Sequence, residues 1–212
     1  MKRWVLVLLL LFVVTPPAYA FQNGSFEFGT VVGGFVTIGP GSDFISPWAV
    51  ASGTIDVIGT YWTSADGAQS IDLNGNEAGT LAQTIPTRSG CTYRVTFALS
   101  GNSACGSADK TMDVYINGDS GNPVANFSTN RSAQGNNWED VTFSFTADSP
   151  NTAVYFRSLT QGACGPAIDH VRVVEECPPS PSIPTLNEWG IIVFMAAACF
   201  AVLYQLRRKS AV

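Results

Sequence analysis

Between Phe21 and Glu176, apolar and polar residues alternate with a period of two, in short runs separated by Gly, Asn, Ser and Asp. That is the period of a strand with one face buried, and the separators are turn residues. The clearest run is Cys91 to Leu99, where Tyr93, Val95, Phe97 and Leu99 alternate with Thr92, Arg94, Thr96 and Ala98. Met112, Val114 and Ile116 alternate with Thr111, Asp113 and Tyr115 ahead of an Asn117-Gly118 turn, which fits a hairpin. Val141, Phe143 and Phe145 repeat the pattern, followed by Val154 and Phe156. No part of this stretch has a helical period. Two sheets facing each other are the economical way to bury one apolar face of each strand, so the pattern predicts an all-β sandwich.

Both ends of the chain break the alternation. Residues 1–20 read as a signal peptide: Lys2 and Arg3, an apolar run from Trp4 to Val14, and a small-x-small cleavage site at Ala18-Tyr19-Ala20. The mature chain is then expected to start at Phe21, leaving one domain over residues 21–176. Residues 177–182 form a linker in which Pro178, Pro179 and Pro181 alternate with Ser180 and Ser182, a stiff extended spacer. Beyond it, Gly190 to Leu203, extended by Tyr204 and Leu206, carries no charge and runs into Arg207, Arg208 and Lys209. This predicts one C-terminal transmembrane helix over about residues 190–206, short but sufficient, with its basic end inside and the β domain outside the cytoplasm.

The residues ahead of that run add an address. Ile183, Pro184, Thr185, Leu186, Glu188, Trp189 and Gly190 occur in order, with Asn187 among them. They resemble the signature of the IPTL-CTERM sorting signals, in which a motif, a hydrophobic helix and a basic end follow one another over residues 183–212 here. The resemblance implies recognition by an exosortase-type cysteine transpeptidase and a protein that is held at the inner membrane or, after processing, released to the cell surface or beyond.

Charge narrows the partners. All sixteen acidic residues lie between Glu27 and Glu188, with six of the eleven basic ones, so the exported part carries about −10. Such a surface excludes nucleic acid and anionic lipid and favours cations or neutral ligands. Four cysteines, Cys91, Cys105, Cys164 and Cys177, lie in this part, and Cys199 in the apolar run. An even number in an oxidising compartment predicts two disulfides, for which three pairings exist. Cys105 and Cys164, both in Gly-rich loops, are the favoured pair, leaving Cys91 with Cys177. Zinc is the rival, but there is no CxxC spacing and His170 is the one histidine.

Two carboxylates sit in strand-like apolar surroundings. In Ile168 to Val173, Asp169 shares a strand face with Val171 and Val173, which predicts a carboxylate carried inward, needing a cation or several donors. Glu27 follows apolar Phe26 in Asn23-Gly24-Ser25-Phe26-Glu27. Two carboxylates with loop carbonyls and no sulfur make the composition of a calcium site; Arg or backbone donors are the alternative. NGSFE at the start and GPAIDHVRV at the end resemble the first and last strands of galactose-binding-like jelly-roll β-sandwiches, which include carbohydrate-binding modules. The intervening Trp48-Ala49-Val50, Asp66-Gly67, Ser70 to Gly75 and Gly79 to Ile85 are similar to the choice-of-anchor C proteins, akin to a plant cell-wall domain of unknown function. The resemblance implies a structural calcium at Glu27 and Asp169.

Sugars are gripped by aromatic faces flanked by planar polar groups, and Tyr61, Trp62 and Trp48 are the candidates for an extracellular polysaccharide or cell-wall polymer. Catalysis has little support: there is no GxSxG elbow, and Asp169 and His170 are strand neighbours that face opposite ways. Asp56, Asp66, Asp72 and Glu77 are carboxylates without an evident pairing. The sequence therefore reads as a carbohydrate-binding surface or matrix protein rather than an enzyme, with a purely structural or adhesive surface protein as the alternative.

Overall fold

The computed structural model describes residues 20–106, 108–118, 120–177 and 187–209. The chain divides into two compact units, Met1–Glu176 and Cys177–Val212.

The first unit is built of strands, with two single-turn 3-10 helices at Ser103–Cys105 and Ala133–Gly135. In order the strands are β1 (Phe35–Ile38), β2 (Ala49–Ser52), β3 (Ile55–Ile58), β4 (Ser70–Asp72), β5 (Thr80–Pro86), β6 (Thr92–Gly101), β7 (Lys110–Ile116), β8 (Ala125–Thr129), β9 (Glu139–Thr146), β10 (Asn151–Ser158) and β11 (Pro166–Glu176). They build a six-stranded sheet, β1-β3-β4-β11-β6-β9, and a five-stranded sheet, β2-β5-β10-β7-β8. All pairings are antiparallel. The predicted alternation governs the core: Tyr93, Val95, Phe97 and Leu99 of β6 meet Met112 and Val114 of β7 and Val154 and Phe156 of β10 between the sheets. Phe97 packs edge-on against Phe156 with ring centroids 5.2 Å apart, the offset geometry that aromatic quadrupoles prefer. β7 and β8 do form a hairpin, though the connection from Asn117 to Val124 is longer than a two-residue turn.

A smaller apolar cluster, Ile58, Trp62 and Ala167 with Ala133, is separate from this core. Ile58 adjoins core Val57, and Ala167 adjoins core Ile168, so strand pleating puts both on the opposite face of the six-stranded sheet. The connections after β3 and β8 thus fold over that outer face and bury part of it. Polar residues that would face water on an open sheet, among them Asp56, Ser70, Asp72 and Ser100, are enclosed there.

β11 departs from the expected period. Its register against β6 shifts between Asp169 and Arg172, and His170 takes a left-handed φ of 50°. The bulge places Ile168 and Val171, three positions apart, both in the core. Asp169 therefore does not share the face of Val171, contrary to the simple alternation. It turns toward the outer-face loop instead.

In the second unit, residues 178–186, which include the Pro/Ser linker and Ile183, Pro184, Thr185 and Leu186 of the sorting signature, lie outside the described residues, as do residues 1–19 of the signal peptide. α1 (Asn187–Lys209) begins with Asn187, Glu188, Trp189 and Gly190. Its Ile192, Val193, Phe194, Met195, Phe200 and Leu203 are exposed. Among the described residues, which exclude the side chains of Ile191, Val202, Tyr204 and Leu206, no helix is long and apolar enough to cross a membrane.

Candidate functional site

One end of the six-stranded sheet's outer face forms a cleft of about 230 Å³. Its apolar side is Phe35, Ile58 and Tyr61; its polar side is Thr37, Asp56, Asn76 and Asn102; Ala104, Ala163 and Cys164 close it. Phe35 and Tyr61 stand at 50% and 43% exposure, edge to face with centroids 5.7 Å apart. Half-exposed rings beside planar polar groups can take up the apolar faces and the hydroxyls of one small polyhydroxylated ring.

The floor of the cleft is built on an Asx-rich framework. Asp56 of β3 stands directly across from Asp72 of β4, so two carboxyl groups lie side by side. Asp56 accepts a 2.5 Å hydrogen bond from the Thr37 hydroxyl, and burial pushes its carboxyl above the usual range. Asp72 is fully buried. Its Oδ1 accepts from Asn74 N (2.9 Å) and Gly165 N (3.0 Å), and its Oδ2 from Asn102 Nδ2 (2.8 Å). Burial pushes it up to about 7; these donors pull the other way, and Asp56 adds repulsion. Asn74 in turn donates through Nδ2 to the carbonyls of Thr160 and Gly162. Its Oδ1 is the one buried side-chain oxygen without a partner among the described residues. A Cβ on Gly165 would lie 2.2 Å from that oxygen and 2.8 Å from Asp72 Oδ1, so only glycine lets this loop close on the framework.

A disulfide joins Cys105 to Cys164 and so ties the two loops that carry Asn102 and Gly165 to each other. Cys91 and Cys177 are each disulfide-bonded as well, and Cys199 is free.

Of the three aromatic candidates, Tyr61 lines the cleft and the other two do not. Trp48 is 2% exposed; its indole N–H donates to Asn23 O (2.8 Å) and its ring stacks on Phe21 at 5.2 Å, so it is core. Trp62, 6% exposed, donates to the Ser70 hydroxyl (2.8 Å) and packs on the outer-face cluster. Both expectations of ligand contact are corrected by burial: two-ring indoles fill space where the sheets or loops close. Phe35, Asp56 and Asn102 were not singled out as ligand contacts by the sequence pattern. The trace they leave is a carboxylate inside an apolar strand, Ile55-Asp56-Val57-Ile58, repeated at Ile71-Asp72-Leu73.

Glu27 and Asp169 meet on one loop, residues 64–69. Glu27 Oε1 accepts from Ala68 N (2.8 Å) and Gln69 N (2.9 Å), lying over Gly67, where no side chain intervenes. Asp169 Oδ2 accepts from Ala65 N and Asp66 N, each 2.8 Å, and Oδ1 from His170 N at 2.6 Å. Ser25 Oγ donates to Asp66 Oδ2 in the same loop. Burial pushes Asp169 up to about 7, the N–H donors oppose this, and Asp66 adds repulsion. The donor chemistry suits a hard cation, since it is all oxygen. Three of the four carboxylate oxygens nevertheless already accept N–H groups, and among the described residues no third carboxylate, histidine or thiol closes on the pair to within 4.8 Å.

Two antiparallel sheets with a loop-built cleft define a β-sandwich of the kind seen in carbohydrate-binding modules. The chain belongs to the family described as Protein of unknown function (DUF642), which matches residues 19–174. It is 31% identical over 173 residues to halomucin of Haloquadratum walsbyi, covering 79% of this chain but spanning about 2% of the length of that relative. Among solved structures it resembles TmCBM61 in complex with beta-1,4-galactotriose, with a TM-score of 0.51 and 18% identity, covering 74% of this chain and 97% of the other. A xylan-binding domain from Paenibacillus barcinonensis scores 0.47 at 14% identity, covering 68% and 94%.

Proposed function

We propose that this is an exported surface or matrix protein whose β-sandwich binds carbohydrate in the cleft beside Phe35 and Tyr61, without catalysing its cleavage. The observation that carries the reading is the cleft itself: two half-exposed rings against Asp56, Asn76, Asn102 and Thr37, in a space sized for one sugar residue. The likeness to TmCBM61 supports the fold on which such a site is built. A glycan array probed with the full-length protein and with Tyr61→Ala tests it: the wild type retains a defined glycan set that the variant loses. Equal retention by both, or none by the wild type, refutes the cleft.

The family description names no ligand, which leaves a second reading, a structural or adhesive surface protein without a sugar site. Failure of the array together with retention of the protein in the cell envelope would favour it.

Delivery rests on the two chain ends. We read residues 1–20 as an export signal and Ile183 to Val212 as an IPTL-CTERM tail of a choice-of-anchor C protein, processed by an exosortase-type transpeptidase. The exposed apolar side chains of α1 support a helix whose solvent is lipid. The mass of the mature protein tests this: loss of everything after the signature marks a processed signal, and retention of Arg207 to Lys209 a permanent anchor.

Calcium at Glu27 and Asp169 is the cofactor we infer, because Asp169 is a buried carboxylate beside Asp66 with no basic side chain acting on it, a setting that a cation relieves. It would brace the loop over residues 64–69.

A further inference from the structure

We propose that the cleft selects a cationic sugar, a hexosamine residue whose free amine enters as an ammonium, over neutral sugars and against uronates. The inference rests on the reading of this cleft as a carbohydrate site and names its ligand class.

Asp56 lines the cleft at 8% exposure, and the Thr37 hydroxyl is the one hydrogen-bond donor that its carboxylate meets among the described residues. Its second oxygen meets no protein donor among the described residues and is not sealed from solvent, so it is open to a donor that enters the cleft. Asp72, directly across in register, puts a second carboxyl group beneath it. Among the described residues no Lys, Arg or His lines the cleft, and none acts on either carboxyl. Within the cleft, then, Asp56 has no counter-ion among the described residues.

Phe35 and Tyr61 line the same cleft with half-exposed rings, and the negative face of an aromatic ring attracts a cation. An ammonium brings three N–H donors and a charge, so it satisfies the unpaired oxygen with a charge-assisted bond that a neutral hydroxyl does not match. A uronate brings a like charge to the same place. N-acetylation removes both the charge and the ammonium donors, leaving ring size nearly the same, which makes it the discriminating comparison.

Calorimetric titration of the full-length protein with glucosamine oligomers, N-acetylglucosamine oligomers, β-1,4-galactan oligomers and galacturonate oligomers tests this, at low salt and at a pH where the amine is protonated. The glucosamine series should bind about tenfold more tightly than the acetylated series, as one charge-assisted hydrogen bond provides, and the galacturonate series should not bind. Asp56→Asn should bring the first two within about twofold, and in the wild type the preference should shrink as salt is raised. Equal or tighter binding of the acetylated, galactan or galacturonate series overturns the inference and leaves the carbohydrate site standing. So does a preference that is indifferent to salt, a result that needs no variant to fold. Binding of none of the four overturns both.

Discussion

The disulfide between Cys105 and Cys164 joins stability and binding in one bond. It bridges a sequence separation of 59 residues, so its removal restores chain entropy to the unfolded state worth about 4 kcal/mol. In a domain of this size, 1 kcal/mol moves the thermal midpoint by about 2–4 °C, so Cys105→Ser with Cys164→Ser should lower it by about 8–16 °C. The second effect is local. Cys164 lines the cleft, and the loops it clips carry Asn102 Nδ2 and Gly165 N onto Asp72. Without the bond these loops must be ordered by the ligand, at a cost of about 1 kcal/mol or roughly fivefold in affinity. The same double replacement at Cys91 and Cys177, which line no part of the cleft, should lower the midpoint comparably and leave affinity unchanged. Scanning calorimetry and titration of the best glycan from the array, on both variants, separate the two effects. A midpoint shift below about 3 °C, or equal affinity losses in the two variants, would refute the reasoning that the bond holds the cleft wall.

Other expectations follow from the same geometry. Asp72 and Asp169 both have folded-state values raised to about 7 from 3.8, so the native state holds more protons between those limits. Their contribution to stability is complete below about pH 4 and is lost as pH rises through 7. In chelator, the thermal midpoint should therefore fall between pH 4 and pH 8, with a smaller fall in Asp72→Asn; a rise over that window would be the contrary result. Glu175, held below its usual range by Arg88, works in the opposite sense only as the medium becomes more acid. Trp48→Ala should cost about 3–5 kcal/mol in denaturant unfolding, whereas Tyr61→Ala should cost under about 1 kcal/mol and abolish glycan retention. Calcium should raise the melting midpoint of the wild type, as any ion bound only by the native state does, and should leave Asp169→Ala unmoved. An equal shift in the two proteins would place the ion elsewhere.

The strands were legible because burial here depends on one period. Tyr93, Val95, Phe97 and Leu99 occupy the face that their spacing predicts, and so do Met112, Val114, Val154 and Phe156. The rule fails where the backbone leaves its period. The bulge at His170 turns Asp169 away from Val171, and nothing in Ile168 to Val173 announces a left-handed residue at a position that is not glycine. Trp48 and Trp62 depart from expectation for a different reason. A tryptophan before a strand and one in a loop look alike in sequence, but Trp48 closes the gap between two sheets and Trp62 roofs the outer face. Which of two adjacent aromatics, Tyr61 or Trp62, faces outward depends on how the loop folds back, a long-range outcome. The cleft floor was hidden similarly: Asp56 and Asp72 come from separate strands, and only their register makes them a pair.

The position of β11 has a mechanical meaning. It is the last element of the domain, and it lies inside the six-stranded sheet, hydrogen-bonded to β4 on one side and to β6 on the other. A load applied through Glu176 first meets Arg172 to Glu176, which pair with β6 alone, and reaches the doubly flanked Ala167 and Ile168 only after that stretch is peeled. The end of β11 nearest the tail is thus the part that yields first, and the part inside the sheet the last.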